Sequence, residues 1–462
     1  MTAKKYDLIV IGSGPAGEKG AAQAAYFGKS VALIEKEPVL GGAAANTGTL
    51  PSKTLRESAL YLSGFKQRGL YGMTFELKEK VTARDFLYRE RLVVQGEQLR
   101  ISNNIQAHDV DLYQGFAKFE DEHTLEVIKQ SGTKERIEGE IILIAAGSNP
   151  FQPPKFPFSD PRVHDSDTIL EITDIPESMV IAGGGVIGCE YACMFAALGV
   201  KVSLIEGRDK LLPFMDDEVV DTLTKCMLAM GVEIRLSDEI EEVTAGKYIG
   251  VTLRSGGGLN VGALLAATGR SGNTAEMGLE DIGLKPGKRG HLAVNEHYQT
   301  SLKHVYAAGD VIGFPALAST AMEQARIAMV HAFNLKYKTK LATILPYGIY
   351  TIPECSMAGK TEEELRQDDI EFVVGKARYN TNARGQIIGD DDGFLKLIFE
   401  KNEMRLLGVH VIGESASELI HVGLTALLTE ADADLFIHTC YNYPTLTELY
   451  KYATYDALGK NN

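Results

Sequence analysis

Two glycine triplets carry the first recognisable chemistry in this chain: Gly12-x-Gly14-x-x-Gly17 and Gly183-x-Gly185-x-x-Gly188. Each follows a short β-branched apolar run, opens a helix-like stretch, and is followed by a second apolar run that ends in an acid, Glu35 or Glu206. That order of parts binds dinucleotides. The first glycine permits a tight turn, the second lets backbone approach a pyrophosphate, and the third lets helix and strand pack closely. The helix N-terminus then faces the phosphates, and the acid is placed for ribose hydroxyls. The pattern recurs about 170 residues along the chain, which predicts two dinucleotide sites on one polypeptide.

The second acid bears on coenzyme choice. A carboxylate at Glu206 bonds a ribose 2′-hydroxyl and repels a 2′-phosphate, which favours NAD(H). Arg208 and Lys210 follow at once, and a guanidinium recognises phosphate well, so the same turn also carries groups suited to NADP(H). The other reactive residue types form no constellation. The five cysteines, Cys189, Cys193, Cys226, Cys355 and Cys440, are odd in number and without framework spacing; this fits a reducing, cytoplasmic setting. Cys189 and Cys193 are read as small core residues. His410, His421 and His438 are read as surface or core residues, and no metal-ligand spacing is present, so no metal is expected.

Elements that must position these groups follow from the patterning. Strands are expected at residues 7–11 and 30–34, with a helix between them reaching about residue 27. Further strands are expected at 110–116, 124–129 and 137–146. Residues 57–98 read as mixed-charge helices with a break near 69–74, and 150–161 as a Pro- and Phe-rich linker. The second unit repeats strand, turn, helix and strand from Met179 to Glu206, and strands at 264–267 and 305–307 end in Gly269 and in Gly309-Asp310. A helix is expected at 314–330. Residues 343–462 read as a separate α+β block, with strands at 394–399 and 406–412 and helices at 415–429 and 445–457. The 462 residues suffice for two or three domains. A net charge of −15 argues against nucleic acid or an anionic membrane surface as partner, and no apolar run approaches the ~18 residues of a membrane span. The short apolar run after Lys4 and Lys5 is read as a first strand rather than a signal sequence.

Residues 41–56 read Gly-Gly-Ala-Ala-Ala-Asn-Thr-Gly-Thr-Leu-Pro-Ser-Lys-Thr-Leu-Arg. The frame of Gly41, Gly42, Asn46, Gly48, Pro51, Ser52 and Lys53 resembles the active-site segment of the flavoprotein disulfide reductases, in which two cysteines stand where this chain has Ala44 and Thr49. With both fingerprints, the Gly309-Asp310 turn and the final block, the resemblance covers nearly the whole chain. It implies an α/β architecture of two Rossmann-like domains and an α+β dimerisation domain: an FAD domain from residues 1–150 and 271–340, an NAD(P) domain from 151–270, and a homodimer, or a higher homo-oligomer, built on 341–462. It also implies that Gly42, Gly147, Gly269, Gly309 and Asp310 help hold the nucleotides. Lys53 would lie beside the flavin, paired with Glu190.

The departures from that family are informative. Its C-terminal segment carries a histidine base oriented by a glutamate. Here residues 441–448 read Tyr-Asn-Tyr-Pro-Thr-Leu-Thr-Glu, with Tyr443 in place of the base and Glu448 retained. A phenol of reference pKa ~10 is a poor base near neutrality. Disulfide and base are both missing while the flavin-holding parts remain, a combination that resembles the soluble pyridine nucleotide transhydrogenase branch, which likewise carries Asn-Tyr-Pro-Thr and a threonine at the position of Thr49. The resemblance implies hydride transfer between NAD(H) and NADP(H) through FAD without a thiol relay. Two other readings stand beside it: an NADH dehydrogenase or diaphorase reducing a quinone, which Glu206 suits, and a non-catalytic redox-sensing flavoprotein subunit. Lys53, Glu190, Thr49, Tyr443 and Glu448 are the candidate catalytic residues, the last three as groups of the flavin pocket.

Overall fold

The computed structural model describes residues 3–64, 70, 81–337 and 340–461. Short β-branched runs feeding glycine turns build the first sheet. Strands Asp111–Gln114, Val31–Glu35, Lys4–Ile11 and Lys134–Ile144 lie side by side in parallel. The strand Val305–Ala307 joins the same sheet by pairing in parallel with Ile142 to Ile144. Two antiparallel strands, Thr124–Ile128 and Phe116–Phe119, extend it on the side of Lys134. The register aligns Ile11 with both Ile34 and Ile144. The turns after all the central strands therefore open on one edge, the carboxyl edge where α/β sheets bind ligands.

The second sheet repeats the plan. Its five strands run in the order Glu233–Arg235, Lys201–Ile205, Ser178–Ala182, Ala263–Ala266, Val163–Asp165, all parallel. Between the first two fingerprint strands, helix Val186–Ala197 is apolar nearly all round and almost wholly buried, as expected of a helix packed on both faces. A short antiparallel pair, Ser148–Pro150 with Arg270–Gly272, lies where the chain leaves and re-enters the first sheet. The last block is an antiparallel sheet of five strands, centred on Phe394–Glu400 and Leu406–Ile412, with helices Ala416–Leu428 and Leu449–Asn461. The core is divided accordingly, one cluster sharing residues of the second sheet, helix Thr49–Ser63 and Ile349 to Met357 of the last block.

The fold agrees with the expected architecture and departs from it at element ends. The expected helix at 314–330 begins later, at Ala318–Ala332, because Phe314 precedes Pro315, a position where helical backbone is disfavoured. The helix expected from 445 starts as a 3₁₀ turn at Leu446–Glu448 before Leu449–Asn461. The strand expected at 110–116 is split at Gly115, where a Cβ would lie 2.7 Å from the Ile128 carbonyl oxygen. Cys189, Cys193 and Cys355 are buried in the core. The break expected near 69–74 lies outside the described residues apart from Leu70.

Candidate active site

The first fingerprint closes tightly. Gly12 has φ +98°, and a Cβ there would sit 2.4 Å from the Ala145 carbonyl oxygen; one on Gly17 would sit 1.8 Å from that of Gly12. Gly14, by contrast, faces space, with only the Gly42 Cα at 3.8 Å from a built Cβ. Pro15 occupies the first turn of helix Pro15–Tyr26, where its missing N–H costs nothing. Glu35 is buried and accepts from the backbone N–H and hydroxyl of Ser13, at 2.9 and 2.6 Å, and from the Glu37 N–H at 2.9 Å. Ser13, lying between the glycines, passed unnoticed in the sequence. It locks the acid to the turn.

A cleft of about 1330 Å³ runs from this turn across the sheet edge. Its lining includes Gly12, Gly14, Glu35, Gly42, Ala44, Thr49, Lys53, Gly147, Glu190, Gly309 and Asp310, so most of the first-unit candidates share one space. At the far end, helix Thr49–Ser63 packs against helix Val186–Ala197 and brings Lys53 to Glu190. Lys53 Nζ donates to both carboxylate oxygens at 2.8 Å, and the Tyr350 N–H donates to Oε1 at 2.9 Å. The ammonium also lies 4.9 Å from the centroid of the Tyr350 ring. Buried Arg56, one turn on, donates to the Thr351 carbonyl at 2.9 Å and pairs with Glu354 at 3.1 Å. It ties the lysine helix to the segment that carries Tyr350. Thr49 is exposed at the cleft wall.

Asp310 accepts from the Ser148 hydroxyl at 2.8 Å, and Arg270 donates to that hydroxyl and to the Ser148 carbonyl at 2.8 and 2.6 Å. The Gly309 N–H is held by Gln324 at 2.8 Å. Burial pushes the neighbouring Asp167 carboxyl above its ordinary range despite the guanidinium of Arg270 nearby. Ser148, Arg270 and Tyr350 all belong to the cleft without having been singled out as site residues. The strand-ending Thr268-Gly269-Arg270 was the available signal. His421, read as an ordinary surface or core residue, lines the rim.

Other candidates lie elsewhere. Gly183, Gly185 and Gly188 form the second turn at the edge of the second sheet, repeating the first: Gly183 has φ +109°, a Cβ on Gly188 would meet its carbonyl oxygen at 1.8 Å, and one on Gly185 would meet nothing within 4 Å. Gly269, with φ +109°, faces the Arg289 guanidinium. Glu206 is buried and fully engaged by Gly184 N–H and by Arg208. Burial alone would raise its pKa; Arg208 and the backbone donors hold it below the usual carboxylate range. Lys210 is turned to Asp217. Tyr443 is 70% exposed and, like Glu448, lies on the last block and does not line the cleft of its own chain.

The cleft fits an FAD. The backbone at Gly14 and Gly147 is open for close approach, the acid after the second strand is fixed at the turn, and the space is large enough and largely apolar, as ligand clefts are.

The chain matches the pyridine nucleotide-disulphide oxidoreductase family over residues 6–325 and the dimerisation domain of that family over residues 345–454, and it belongs to this family of flavoproteins that use FAD and NAD(P). A soluble pyridine nucleotide transhydrogenase of Mycobacterium tuberculosis (strain ATCC 25177 / H37Ra) is 44% identical over 99% of this chain and 98% of its own length. That of Azotobacter vinelandii is 41% identical over 100% of both chains. Among solved structures, the HOCl-induced flavoprotein disulfide reductase RclA from Escherichia coli is similar with a TM-score of 0.88 at 26% identity, covering 97% of this chain and 99% of that one. LpdA from Mycobacterium tuberculosis shares the fold with a TM-score of 0.90 at 24% identity, covering 98% and 99%.

Proposed function

We infer that this chain is an FAD-dependent enzyme that passes hydride between NAD(H) and NADP(H), as a soluble pyridine nucleotide transhydrogenase. The observation that carries the reading is the intact Lys53–Glu190 pair in a cleft where Ala44 and Thr49 stand in place of a dithiol. Bound FAD supplies the two-electron acceptor and donor, and with no thiol pair at this wall the electrons have no further station. Gly12, Gly14, Glu35, Gly42, Gly147, Gly309 and Asp310 would hold it. Glu190 fixes the ammonium of Lys53, which keeps a positive charge at the end of the cleft where negative charge develops on reduction. Val186 and Ile187 give this end an apolar wall that excludes water and orients a nicotinamide. Gly183, Gly185, Gly188 and Gly269 serve the nicotinamide coenzyme's pyrophosphate and backbone approach, and Glu206 with Arg208 its ribose.

The proposed domains are 1–150 with 271–340 for FAD, 151–270 for NAD(P) and 341–462 for dimerisation. The pairing of Val305–Ala307 with the first sheet supports the discontinuous first domain. The working form is a homodimer in the cytoplasm, in which Tyr443 and Glu448 of each chain reach the other's cleft. Among the described residues no helix is long and apolar enough to cross a membrane. The test is an anaerobic titration of the holoenzyme with NADH and NADPH separately. Both bleach the yellow flavin if the reading is right; failure of NADPH at any concentration, with quinone turnover on NADH, replaces it with a diaphorase.

A further inference from the structure

We propose that Glu206 and Arg208 form a single two-position subsite that accepts either ribose form at the second fingerprint. With the pair closed, Arg208 presents its guanidinium to a 2′-phosphate; with the pair opened, Glu206 presents its carboxylate to a 2′-hydroxyl. The proposal rests on the transhydrogenase reading and says how one turn serves both coenzymes.

The bond inventory carries it. Glu206 Oε1 accepts from the backbone N–H and from Nε of Arg208, both at 2.9 Å. Its Oε2 accepts from the Gly184 N–H at 2.6 Å and from Arg208 Nη2 at 2.8 Å. A carboxylate offers about four acceptor positions, so all are filled and a ribose hydroxyl enters only when a donor leaves. The two backbone donors are fixed in the turn. The other two belong to one side chain, and it is 49% exposed against 7% for its acid. Arg208 is thus the donor that exchanges.

The closed pair is equally suited to the other ligand. Its bonds run through Nε and Nη2, leaving the Nη1 edge outside the pair for phosphate oxygens. The guanidinium also cancels the carboxylate's charge, which removes the repulsion that an acid at this position otherwise exerts on a 2′-phosphate. Nearby cations answer acids of their own: Lys210 on Asp217, Arg235 on Glu233 and Arg254 on Glu239. Glu239, the acid beside Gly207, is accordingly neutralised by Arg254 rather than by Arg208.

The experiment is calorimetric titration of the FAD-loaded enzyme with adenosine 2′,5′-bisphosphate and with adenosine 5′-monophosphate, for the wild type and for Arg208→Leu, Arg208→Lys and Glu206→Gln. In Arg208→Leu the bisphosphate weakens at least tenfold while the monophosphate tightens about threefold, because the acid no longer has to be uncovered. Arg208→Lys keeps charge without the fork and loses bisphosphate affinity by a smaller factor. Glu206→Gln reverses the pattern, weakening the monophosphate and tightening the bisphosphate. Equal weakening of both ligands by Arg208→Leu, or a monophosphate affinity left unchanged, overturns the proposal. Wild-type enzyme that binds both ligands and is bleached by both coenzymes keeps the function even then. A wild type that NADH bleaches and NADPH does not removes the function and the subsite together.

Discussion

At the scale of single residues, the proposed chemistry turns on one ammonium. Lys53 is 26% exposed and its partner Glu190 is 4% exposed, so the lysine faces the cleft while the acid is held behind it by Lys53 and the Tyr350 N–H. Replacing Lys53 by Met removes the positive charge and leaves a buried carboxylate with one backbone donor. Hydride transfer from NADH, followed by stopped-flow bleaching, should slow by roughly 10²–10³-fold, the range seen when a preorganised electrostatic donor is lost. Glu190→Gln keeps the shape and leaves Lys53 charged, so its loss should be smaller, about tenfold. If the two variants slow the reaction equally, Lys53 acts through placement of the helix rather than through its charge. Thr49 offers a contrast: it is exposed on the cleft wall and carries no charge, so Thr49→Ala should slow the same rate far less than Lys53→Met does. A loss as large as that of Lys53→Met would make it catalytic.

At the scale of elements, the fingerprint turns explain what was legible and what was not. Gly17 lies on helix Pro15–Tyr26 against the Gly12 carbonyl, and any side chain there forces helix and strand apart. Gly17→Ala should therefore yield protein that purifies without flavin, read from the loss of its yellow visible absorbance relative to protein; a fully yellow protein would contradict the close-packing role. This turn was readable because spacing, strand context and the downstream acid all agree, a consistency that marks a well-specified segment. The same holds for Gly183 to Glu206. What escaped the sequence were relations across the chain. Ser13 bonds an acid at the end of the neighbouring strand, 22 residues on, Tyr350 reaches Glu190 from another domain, and Ser148 joins Arg270 to Asp310. Glu206 and Arg208 were legible as residues but read as opposing signals, because nothing in their spacing reveals that one side chain closes on the other. The late start of Ala318–Ala332 follows from a local rule at Phe314-Pro315 that the apolar periodicity overrode.

At the scale of the whole molecule, the unit built on the second sheet is fastened to the last block by a buried charge cluster that lies outside the cleft. Lys396, on strand Phe394–Glu400, is 1% exposed and donates to Asp216 Oδ1 and Oδ2 at 2.7 and 2.9 Å and to Glu362 at 2.7 Å. It also meets Glu218 at 3.0 Å, which Lys376 shares at 2.7 Å. Asp216 caps helix Asp217–Ala229 of the second unit, so the cluster joins a helix start to a sheet of another domain. His410, opposite Lys396 in the register, adds no charge, since burial holds its pKa below the ordinary value. Burial alone would lower the Lys396 pKa, but Asp216 and Glu362 outweigh it and raise it. A raised folded value means the cluster's stabilisation is fully present below the unfolded value of ~10.4 and fades as pH climbs through the higher folded one. Glu218 is the opposite case: burial would raise it, Lys376 and Lys396 outweigh that and lower it, and its share disappears as pH falls through the depressed value. Lys396→Met leaves Asp216 buried without its counter-charge and should cost about 3–5 kcal/mol. The loss, read from the denaturant midpoint of the holoenzyme, should stay constant between about pH 7 and 10 and narrow above ~10.4. Adding Asp216→Asn to Lys396→Met should recover a large part of it, as expected for groups coupled in one network. A double variant as unstable as the sum of the two single ones would show that strand packing, and not the charge pair, holds the two domains together.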